Sequence, residues 1–374
     1  MFDAIVIGLG GMGSAAAFHL SRRGEKVLGL ERFSAAHDLG SSHGKSRIIR
    51  QAYFEGEEYV PLLMRSYELW EELERESGES LMETTGALML GPPDSEVVAG
   101  SRRSAEKHDL PHEMLDAKEL ERRYPCFTPA PETVALFEER AGFVKPEASM
   151  KSHLDLASKH GAELRFGESV KSWEASGNSV KVETESGSYE AEKLVIAAGA
   201  WSSEMLAGMK LPLRVERRVM HWFEPKGDAS LAPPPPVFLW APEGEDVFYG
   251  IPDSPYAMKA AFHYVGDECS PDTLEREVGD DEVSKIRGYL DRYAPSLAGR
   301  HVESAACMYT NTPDSHFVVS AHPEHPNVSV AAGFSGHGYK FCPVVGEILA
   351  DLAMHGETKH PIGLFDPARF GSVR

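Results

Sequence analysis

The chain has 374 residues, 42% of them hydrophobic and 26% charged, which is ordinary for a globular protein. Its net charge of −20 argues against nucleic acid or an anionic membrane as a partner. Four scattered cysteines make neither a disulfide framework nor a metal-binding CxxC pair, and no apolar run approaches the roughly 20 residues that span a bilayer. With no targeting segment before the first strand, we expect a cytoplasmic protein.

The first predicted strand, A-I-V-I-G, is a continuous apolar run of the kind that is buried in a parallel sheet. It enters the motif G-L-G-G-M-G, and a helix and a second strand, K-V-L-G-L-E, follow. Gly8 allows the tight turn, Gly10 lets the backbone approach a pyrophosphate, and Gly13 packs the helix on the strand. Glu31, at the end of the second strand, would bind a ribose hydroxyl, which a glycine-rich turn without a ligand would not need. The segment therefore predicts a dinucleotide site, although the motif alone does not choose FAD over NAD.

The segment S-S-H-G-K-S-R-I-I-R-Q-A-Y concentrates polar and basic groups in an acidic chain; they are His43, Lys45, Arg47, Arg50 and Tyr53. Arginines near a flavin can bind a carboxylate through two hydrogen bonds and favour an anionic reduced ring. A solvated basic loop is the alternative, but two adjacent isoleucines between the arginines argue against full exposure.

Two segments, S-V-K-S-W-E-A and S-V-K-V-E-T-E, alternate apolar and polar residues and are joined at residues 176–178, which predicts a hairpin. The apolar run K-L-V-I-A-A-G-A-W then predicts a buried strand that ends at Gly199. By analogy, a three-stranded insert of this kind is typical of FAD-binding folds of the glutathione-reductase type.

The expected fold class is α/β, with two interleaved domains. A discontinuous dinucleotide-binding domain comprises residues 1–80, 145–211 and 300–374. Residues 81–144 and 212–299 form the second domain, because the latter range is rich in proline, aromatic residues and alternating patterns that predict a mostly antiparallel sheet.

Within the second domain, the strand A-M-K-A-A-F-H-Y places Lys259, Ala261 and His263 on one face. The small alanine between a lysine and a histidine would leave room for a ligand. The solvent face of an edge strand is the alternative interpretation.

The segment A-A-C-M-Y-T places a single cysteine in a short apolar strand. In a strand, Cys307 and Tyr309 point to one face and Met308 points into the packing. A lone cysteine is most often a small buried hydrophobe, and a reactive nucleophile is the alternative.

A late strand, V-S-V-A-A, runs into the glycine-dense loop G-F-S-G-H-G-Y-K-F, which carries His337 and Lys340. Pro343 then opens a helix that ends before Gly356, since proline favours the first helical position and glycine follows the last. Strand, glycine-rich loop and helix N-terminus together predict a cradle for an anion or cofactor, and a tight turn is the alternative.

Four of these motifs, in this order, resemble the monomeric sarcosine oxidase and N-methyltryptophan oxidase family of FAD-dependent amine oxidases. They are G-L-G-G-M-G, S-H-G-K-S-R-I-I-R-Q-A-Y, A-C-M-Y-T and A-A-G-F-S-G-H-G-Y-K-F. The resemblance runs along nearly the whole chain. It implies a Rossmann-like FAD-binding domain of the glutathione-reductase type and a substrate domain with a large mixed, mostly antiparallel sheet.

The resemblance further implies that FAD is joined covalently to the sulfur of Cys307. The other cofactor-binding residues that it implies are Gly8, Gly10, Gly11, Met12, Gly13, Glu31, Arg32, Ser42, His43, Arg47, Ile48, Val170, Gly199, Met308, Gly336, His337, Gly338 and Lys340.

For catalysis, the resemblance implies that Arg50 and Lys340 hold the substrate carboxylate and that Lys259 activates oxygen. The side chains near the flavin and the amine are His43, Arg47, Tyr249, His263 and Tyr309. The implied reaction oxidises a secondary amino acid to an imine, which hydrolyses, while O2 becomes H2O2. The implied protein is a monomer that needs no metal.

The substrate side chain stays open at this point, because P-D-S-P-Y-A-M, Ser46 and Trp240 depart from the family pattern near the expected pocket. Sarcosine or another N-alkyl amino acid, proline or pipecolate, and a glycated amino acid all remain candidates. A related dehydrogenase that passes electrons to a carrier is one alternative function, and Cys307 and Lys259 speak against it. A non-catalytic FAD-binding assembly factor is another, and it would need no carboxylate clamp.

Overall fold

The structure, a computed structural model, describes residues 1–226, 234–254 and 257–371. In chain order its strands are β1 (Phe2–Ile7), β2 (Val27–Glu31), β3 (Arg47–Ile49), β4 (Met82–Thr84), β5 (Ala87–Gly91), β6 (Glu113–Asp116), β7 (Val134–Glu138), β8 (Gly142–Val144), β9 (Glu163–Phe166), β10 (Val170–Ser176), β11 (Ser179–Thr184), β12 (Ser188–Ile196), β13 (Arg214–Phe223), β14 (Val237–Trp240), β15 (Phe248–Ser254), β16 (Ala257–Phe262), β17 (His301–Asn311), β18 (Val318–Ala321) and β19 (Val328–Ala332).

The α-helices are α1 (Gly11–Arg22), α2 (Val60–Ser77), α3 (Glu96–Lys107), α4 (Ala117–Arg123), α5 (Pro146–Lys159), α6 (Ser202–Met205), α7 (Asp280–Tyr293) and α8 (Cys342–His355). Within the described ranges, no helix is long and apolar enough to cross a membrane. Residues 227–233 of the predicted second domain lie outside the described residues, as do Pro255 and Tyr256 of P-D-S-P-Y-A-M.

The first sheet contains the strand that precedes the glycine motif. Six of its eight strands lie in the order β9-β2-β1-β12-β19-β18, and these are parallel except for β18, which is antiparallel to β19. Alternate residues of β1 face opposite clusters, because Val6 packs in the cluster of α1 and α8 while Ile5 packs in the cluster of β11 and Leu206. Both faces of β1 are thus covered, which explains its continuous apolar sequence and confirms the predicted parallel sheet.

The predicted three-stranded insert is present, with β10 and β11 paired as a hairpin and β11 antiparallel to the first half of β12. The second half of β12 lies between β1 and β19 in the parallel sheet. The last insert strand and the buried strand predicted to end at Gly199 are therefore one long strand, which begins at Ser188 and stops at Ile196. The predicted helix after the second glycine-rich loop is α8, with Pro343 in its first turn and Gly356 as its left-handed C-cap.

The second sheet has the strand order β17-β13-β16-β15-β14-β5-β7-β6. Its pairs are antiparallel except for β14 with β5, so the predicted mixed, mostly antiparallel sheet is confirmed. On one face, Trp240 and Phe248 pack with α7 residues in an aromatic cluster. On the other face, Met220, Ala261 and Cys307 form a smaller cluster.

Two strand assignments differ from the predicted division of the chain. Residues 301–311 were expected with the FAD-binding segments, but β17 pairs along its length with β13 and is an edge strand of the second sheet. Within residues 81–144, β8 pairs with both β3 and β4, so β4 and β8 lie in a small third sheet instead of joining the second. The alternation of a strand predicts which residues share a face but not which strand pairs with it, because the pairing depends on residues far away in the sequence.

Candidate active site

A long cleft of about 1480 Å³, counting its open mouth, lies at the carboxyl ends of β1, β2, β12 and β19. Ligands of open parallel sheets bind at this edge, where the loops after the strands converge. Ile7, Leu30, Ala197 and Gly333 come from or follow these four strand ends and line the cleft. The fold thus places a large cavity where the glycine motif ends the first strand.

The backbone around the start of α1 leaves no room for a side chain at Gly8 or Gly13. Gly8 has φ of +83°, and a β-carbon there would stand 2.5 Å from the carbonyl oxygen of Ala197. A β-carbon on Gly13 would stand 1.7 Å from the carbonyl oxygen of Gly8, so helix and strand are in direct contact. Gly10 precedes the helix without a side-chain cap, and its β-carbon would meet nothing nearer than Ser42 Oγ at 4.0 Å. The first N–H groups of α1 therefore remain available to an anion in the cleft.

Glu31 lies at the same end of the cleft and is held by the backbone. Leu9 N donates to its Oε2 at 2.9 Å, Phe33 N donates to its Oε1 at 3.0 Å, and His37 Nε2 lies 3.4 Å away. Burial raises the pKa of Glu31, but these hydrogen bonds outweigh it and lower the pKa below the usual range. A carboxylate has about four lone-pair positions, so Glu31 can still accept from a ribose hydroxyl.

Most of the predicted cofactor residues line this cleft. They are Gly8, Gly10, Gly11, Met12, Glu31, Arg32, Ser42, Arg47, Val170, Gly199, Met308, Gly336 and Gly338. Of the others, Gly13 lies beneath the turn, and Ile48, His337 and Lys340 line a neighbouring chamber instead. His43 and Cys307 are buried beside the cleft without lining it.

The neighbouring chamber has a volume of about 520 Å³, counting its open mouth. It is lined by Arg47, Ile48, Arg50, Glu55, Leu239, Tyr249, Ile251, His263, Tyr309, Gly336, His337, Tyr339 and Lys340. Four of these residues, Arg47, Tyr309, Gly336 and Tyr339, also line the cleft, so the two cavities meet at them. The structure brings together residues that are nearly 300 positions apart in the sequence.

Two cations line only the chamber. Arg50 is 2% exposed, and its Nη2 lies 2.5 Å from Oε2 of Glu55. Burial raises the pKa of Glu55, but Arg50 outweighs it and lowers the pKa to about 2, so this carboxylate is charged. Burial, followed by Arg50, lowers the pKa of Lys340 to about 7. A carboxylate that enters the chamber therefore meets two cations, one of which already has an internal counter-ion.

Lys259 is not on the solvent face of an edge strand, because β16 lies between β13 and β15 and the side chain is 0% exposed. Its Nζ donates to the carbonyl oxygens of Gly44, at 2.9 Å, and Ser46. Trp222 covers it, with the ring centroid 5.9 Å from Nζ. Burial, followed by Arg47, lowers the pKa of Lys259 well below its usual value. The amine can therefore gain charge when an anion forms nearby.

Cys307 is 2% exposed and has polar neighbours. Its Sγ lies 3.7 Å from Nη2 of Arg47 and 3.6 Å from the carbonyl oxygen of Ser41. Burial raises the pKa of this thiol, but His43 and then Arg47 outweigh it and lower the pKa to about 7. His43 Nε2 is also buried without a hydrogen-bond partner among the described residues. Cationic neighbours and a lowered pKa are features of reactive cysteines, and burial in an apolar core alone would raise the pKa.

Trp240 was expected to lie near the pocket, and its strand does border the chamber. The ring of Trp240 itself packs against Phe127 and Tyr293 on the opposite face of the second sheet. Its neighbour Leu239 lines the chamber, since successive side chains of a strand point to opposite faces. Burial lowers the pKa of His263 to about 3, so the chamber holds a neutral imidazole.

Comparison with known proteins decides the family. The family profile of FAD dependent oxidoreductases matches residues 3–352. The chain belongs to this family. Monomeric sarcosine oxidase of Streptomyces avermitilis is 52% identical over 379 residues, which cover 100% of this chain and 98% of that protein. N-methyl-L-tryptophan oxidase of Yersinia pestis is 33% identical over 371 residues, 99% of each chain.

Among solved structures, L-proline dehydrogenase from P. horikoshii superposes with a TM-score of 0.85 at 26% identity, covering 99% of this chain and 97% of the other. These relatives confirm the α/β fold class, the FAD cofactor and the resemblance to the monomeric sarcosine oxidase and N-methyltryptophan oxidase family. They identify a FAD-dependent amine oxidase.

Sequence reasoning missed Glu55 and Tyr339, two residues of the chamber. Glu55 is the first of three closely spaced glutamates after the basic segment, in F-E-G-E-E, and belongs to no motif. Its position five residues after Arg50 carried no signal, because the pairing depends on a loop conformation. Tyr339 lies inside the glycine-dense motif, and its hydroxyl donates to the carbonyl oxygen of Pro146 at 2.8 Å. An aromatic residue directly after the last glycine of the motif was the available signal for a wall of the cavity.

Proposed function

We propose that the protein oxidises a small secondary amino acid, with O2 as acceptor, H2O2 as product and FAD joined covalently to Cys307. The observation that carries this proposal is the meeting of the two cavities at Arg47 and Tyr309, with the cations Arg50 and Lys340 lining only the chamber. A dinucleotide in the cleft and an amino acid whose carboxylate pairs with these cations would face each other at this junction.

The residues of the cleft fit FAD, because the start of α1 presents free N–H groups and Glu31 keeps acceptor capacity. When bound, FAD supplies the acceptor for two electrons and one hydrogen from the C–N unit of the substrate. The chain's own residues would hold the cofactor. The start of α1 would bind the pyrophosphate, Glu31 would bind the ribose and Cys307 would bind the flavin ring. A place along the cleft supports the other predicted cofactor residues that line it, whereas His43, Ile48, His337 and Lys340, which lie outside it, stay predictions.

In the chamber, Arg50 and Lys340 would bind the substrate carboxylate through charge-assisted hydrogen bonds. His263 is neutral and its Nε2 is buried without a partner among the described residues, so it can accept a hydrogen bond from the N–H of the amine. Tyr309 stands at the junction of the two cavities and would orient the amine toward the cleft. Lys259 would stabilise negative charge on oxygen during reoxidation.

The size and lining of the chamber favour a small substrate. Its apolar walls are Ile48, Leu239 and Ile251. The volume of about 520 Å³ counts the open mouth, so the enclosed part is smaller, and it also has to hold the carboxylate between Arg50 and Lys340. Sarcosine, a small N-methyl amino acid or a cyclic imino acid fits this space better than an indole or a sugar adduct. We also propose a monomer in a reducing compartment, supported by four free cysteines and by the name of the sarcosine oxidase relatives.

A substrate panel tests the proposed function. Purified enzyme is assayed for H2O2 with sarcosine, N-methyl-L-alanine, L-proline, L-pipecolate, N-methyl-L-tryptophan and a fructosyl amino acid. We expect the small secondary amino acids to exceed the last two by at least about tenfold in kcat/KM, the discrimination expected when a group of several carbons has no space. Turnover with an artificial dye but without peroxide would instead indicate a dehydrogenase.

The pKa of Lys340 predicts how carboxylate binding depends on pH. Its ammonium form exists below a pKa of about 7 and is lost above it, so carboxylate affinity should fall as pH rises through about 7. The groups that face Lys340 are Arg50, Tyr53, Glu55, His263, His337 and Cys342, and all have pKa values far from 7.

Acetate, the simplest carboxylate, can be titrated into the holoenzyme while the flavin absorbance is followed between about pH 6 and 9. We expect the Kd of acetate to rise by up to about tenfold per pH unit above about pH 7. Lys340→Met should bind acetate more weakly at low pH and lose this dependence. A Kd that is constant across the range in the unmodified enzyme contradicts the prediction.

A further inference from the structure

Tyr53 ends the basic segment and is 0% exposed, yet the roles assigned so far do not use it. Both cations of the chamber lie against its ring. The guanidinium carbon of Arg50 is 4.3 Å from the ring centroid, and Nζ of Lys340 is 5.1 Å from it. The negative face of an aromatic ring attracts cations, and the attraction is strongest where water is excluded. One ring therefore supports two like charges that would otherwise repel each other.

The hydroxyl of Tyr53 has a defined direction. It lies 2.6 Å from Nδ1 of His337, whose Nε2 lies 2.9 Å from the carbonyl oxygen of Ser315. A carbonyl only accepts, so Nε2 carries the hydrogen and Nδ1 of the neutral ring accepts from Tyr53. Burial raises the pKa of Tyr53 well above 10 and lowers the pKa of His337 to about 4, so both groups stay neutral near pH 7.

With its hydrogen directed to His337, the oxygen of Tyr53 is left as an acceptor. Nζ of Lys340 lies 3.5 Å from this oxygen and donates to the carbonyl oxygen of His337 at 2.7 Å. An ammonium group has three hydrogens, so one remains for a ligand in the chamber. The bond from Ser104 to the backbone carbonyl of Tyr53 anchors the whole residue to α3.

We propose that Tyr53 is a positioning residue of the carboxylate site, which fixes Arg50 through its ring and Lys340 through its ring and hydroxyl. The inference rests on the proposed function, because it assumes that these two cations bind the substrate carboxylate. One side chain, that of Tyr53, contacts both cations. Its loss therefore changes the distance between the two charged groups and also makes the charged forms of Arg50 and Lys340 less stable in the chamber.

Tyr59 provides a matched control. It is also 0% exposed and lies in the same aromatic cluster, with its ring centroid 5.2 Å from that of Tyr53. Its hydroxyl is bonded to His316 at 3.0 Å, and neither Arg50 nor Lys340 lies over its ring. Tyr59→Phe therefore removes one buried hydroxyl without touching the carboxylate site.

The test compares the holoenzymes of Tyr53→Phe, Tyr53→Leu and Tyr59→Phe. Flavin content and melting temperature are measured first, then the Kd of acetate from about pH 6 to 9, and finally kcat and KM. For Tyr53→Phe we expect the Kd of acetate at pH 6 to rise about fivefold, as for the loss of one hydrogen bond. We expect the pH at which binding weakens to move downward, because the ammonium of Lys340 loses an acceptor. KM should rise more than kcat falls.

Tyr53→Leu also removes the ring and should raise the Kd by about 30-fold or more, the sum of a hydrogen bond and two cation–ring contacts. Tyr59→Phe should leave both the Kd and its pH dependence unchanged. If Tyr53→Phe matches Tyr59→Phe in both quantities, the positioning role is wrong. If it fails to fold, His337→Phe removes the acceptor that directs the hydroxyl, and an unchanged pH dependence there overturns the proposal equally.

The same measurements separate this inference from the proposed function. An unmodified enzyme that neither binds acetate nor oxidises any amino acid of the panel contradicts the proposed function itself. An unmodified enzyme that binds acetate with the expected pH dependence, beside a Tyr53→Phe variant that does the same, contradicts only the role of Tyr53.

Discussion

Replacing Lys259 by methionine is expected to slow reoxidation of the reduced enzyme by O2 about 10²- to 10³-fold, the range found when one preorganised charge stabiliser is removed. Reduction by the amine should change only a few-fold, because Arg50 and Lys340 remain. The physical reason is that oxygen gains negative charge during reoxidation, and a buried ammonium stabilises that charge far more strongly than a solvated one.

The surroundings of Lys259 support this role. The side chain is fully buried between the strands of the second sheet and is held by the carbonyl oxygens of Gly44 and Ser46. Burial keeps its pKa well below the usual value, so an anion that forms nearby favours uptake of a proton. Lys259 is neither a surface cation nor one half of an ion pair among the described residues. Its charge can therefore appear when it is needed, during reoxidation by O2.

The experiment mixes anaerobically reduced enzyme with oxygenated buffer and follows the flavin absorbance. Lys226→Met is the matched control, since Lys226 forms an exposed ion pair with Asp291 in the same region of the sequence, and its loss should change nothing. Lys259→Met removes two buried hydrogen bonds, but both carbonyl oxygens keep a donor, Ser46 N for Gly44 and Arg47 Nη1 for Ser46. Flavin content and melting temperature are compared as well, to show that the variant is folded and loaded. Reoxidation of a folded, flavin-loaded Lys259→Met at the unmodified rate contradicts the role.

The sequence predicted the local parts of the fold because their signals are local. The turn at Gly8, the helix α1, the β10–β11 hairpin and the limits of α8 depend on glycine, proline and residue periodicity within short windows. β17 was placed in the wrong part of the molecule because its partner, β13, lies about 90 residues away in the sequence. A period of two residues identifies a strand and leaves its neighbour open.

The candidate site shows the same division. Residue chemistry and a family resemblance singled out Arg50, Lys259, Cys307 and Lys340. In the structure, Arg50 and Lys340 line the chamber, and Lys259 and Cys307 are buried in the packing beside the cavities. Which face of β14 borders the chamber could not be predicted, since V-F-L-W is apolar at every position and both faces are buried. A one-residue change of register exchanges Leu239 and Trp240.

Replacing Cys307 by serine is expected to convert FAD from fully retained to fully released when the protein is precipitated with acid. The unmodified enzyme should give a yellow pellet, and Cys307→Ser a colourless pellet with a yellow supernatant. His43 and Arg47 lower the pKa of the thiol to about 7, so a large share is thiolate near neutral pH. A serine hydroxyl in the same place does not ionise and cannot form the bond.

Cys342→Ser is the control that makes this result specific. Cys342 is 1% exposed and also lies against the cleft, since a β-carbon on Gly11 would stand 2.6 Å from its Sγ. Burial raises the pKa of Cys342 far above its usual value, so it stays a neutral thiol. The two cysteines match in burial and differ in charge environment, so only Cys307→Ser should release the flavin. A colourless pellet from the unmodified enzyme contradicts the covalent bond.

Cys307→Ser should still bind FAD under native conditions, because the contacts at the other end of the cleft do not involve the sulfur. The free N–H groups at the start of α1 and the backbone-held carboxylate of Glu31 remain in place. If Cys307→Ser is yellow before precipitation and releases the colour afterwards, non-covalent binding of FAD depends on the glycine turn and covalent attachment depends on Cys307. Loss of colour at both stages would show instead that the sulfur is needed for the cofactor to bind at all.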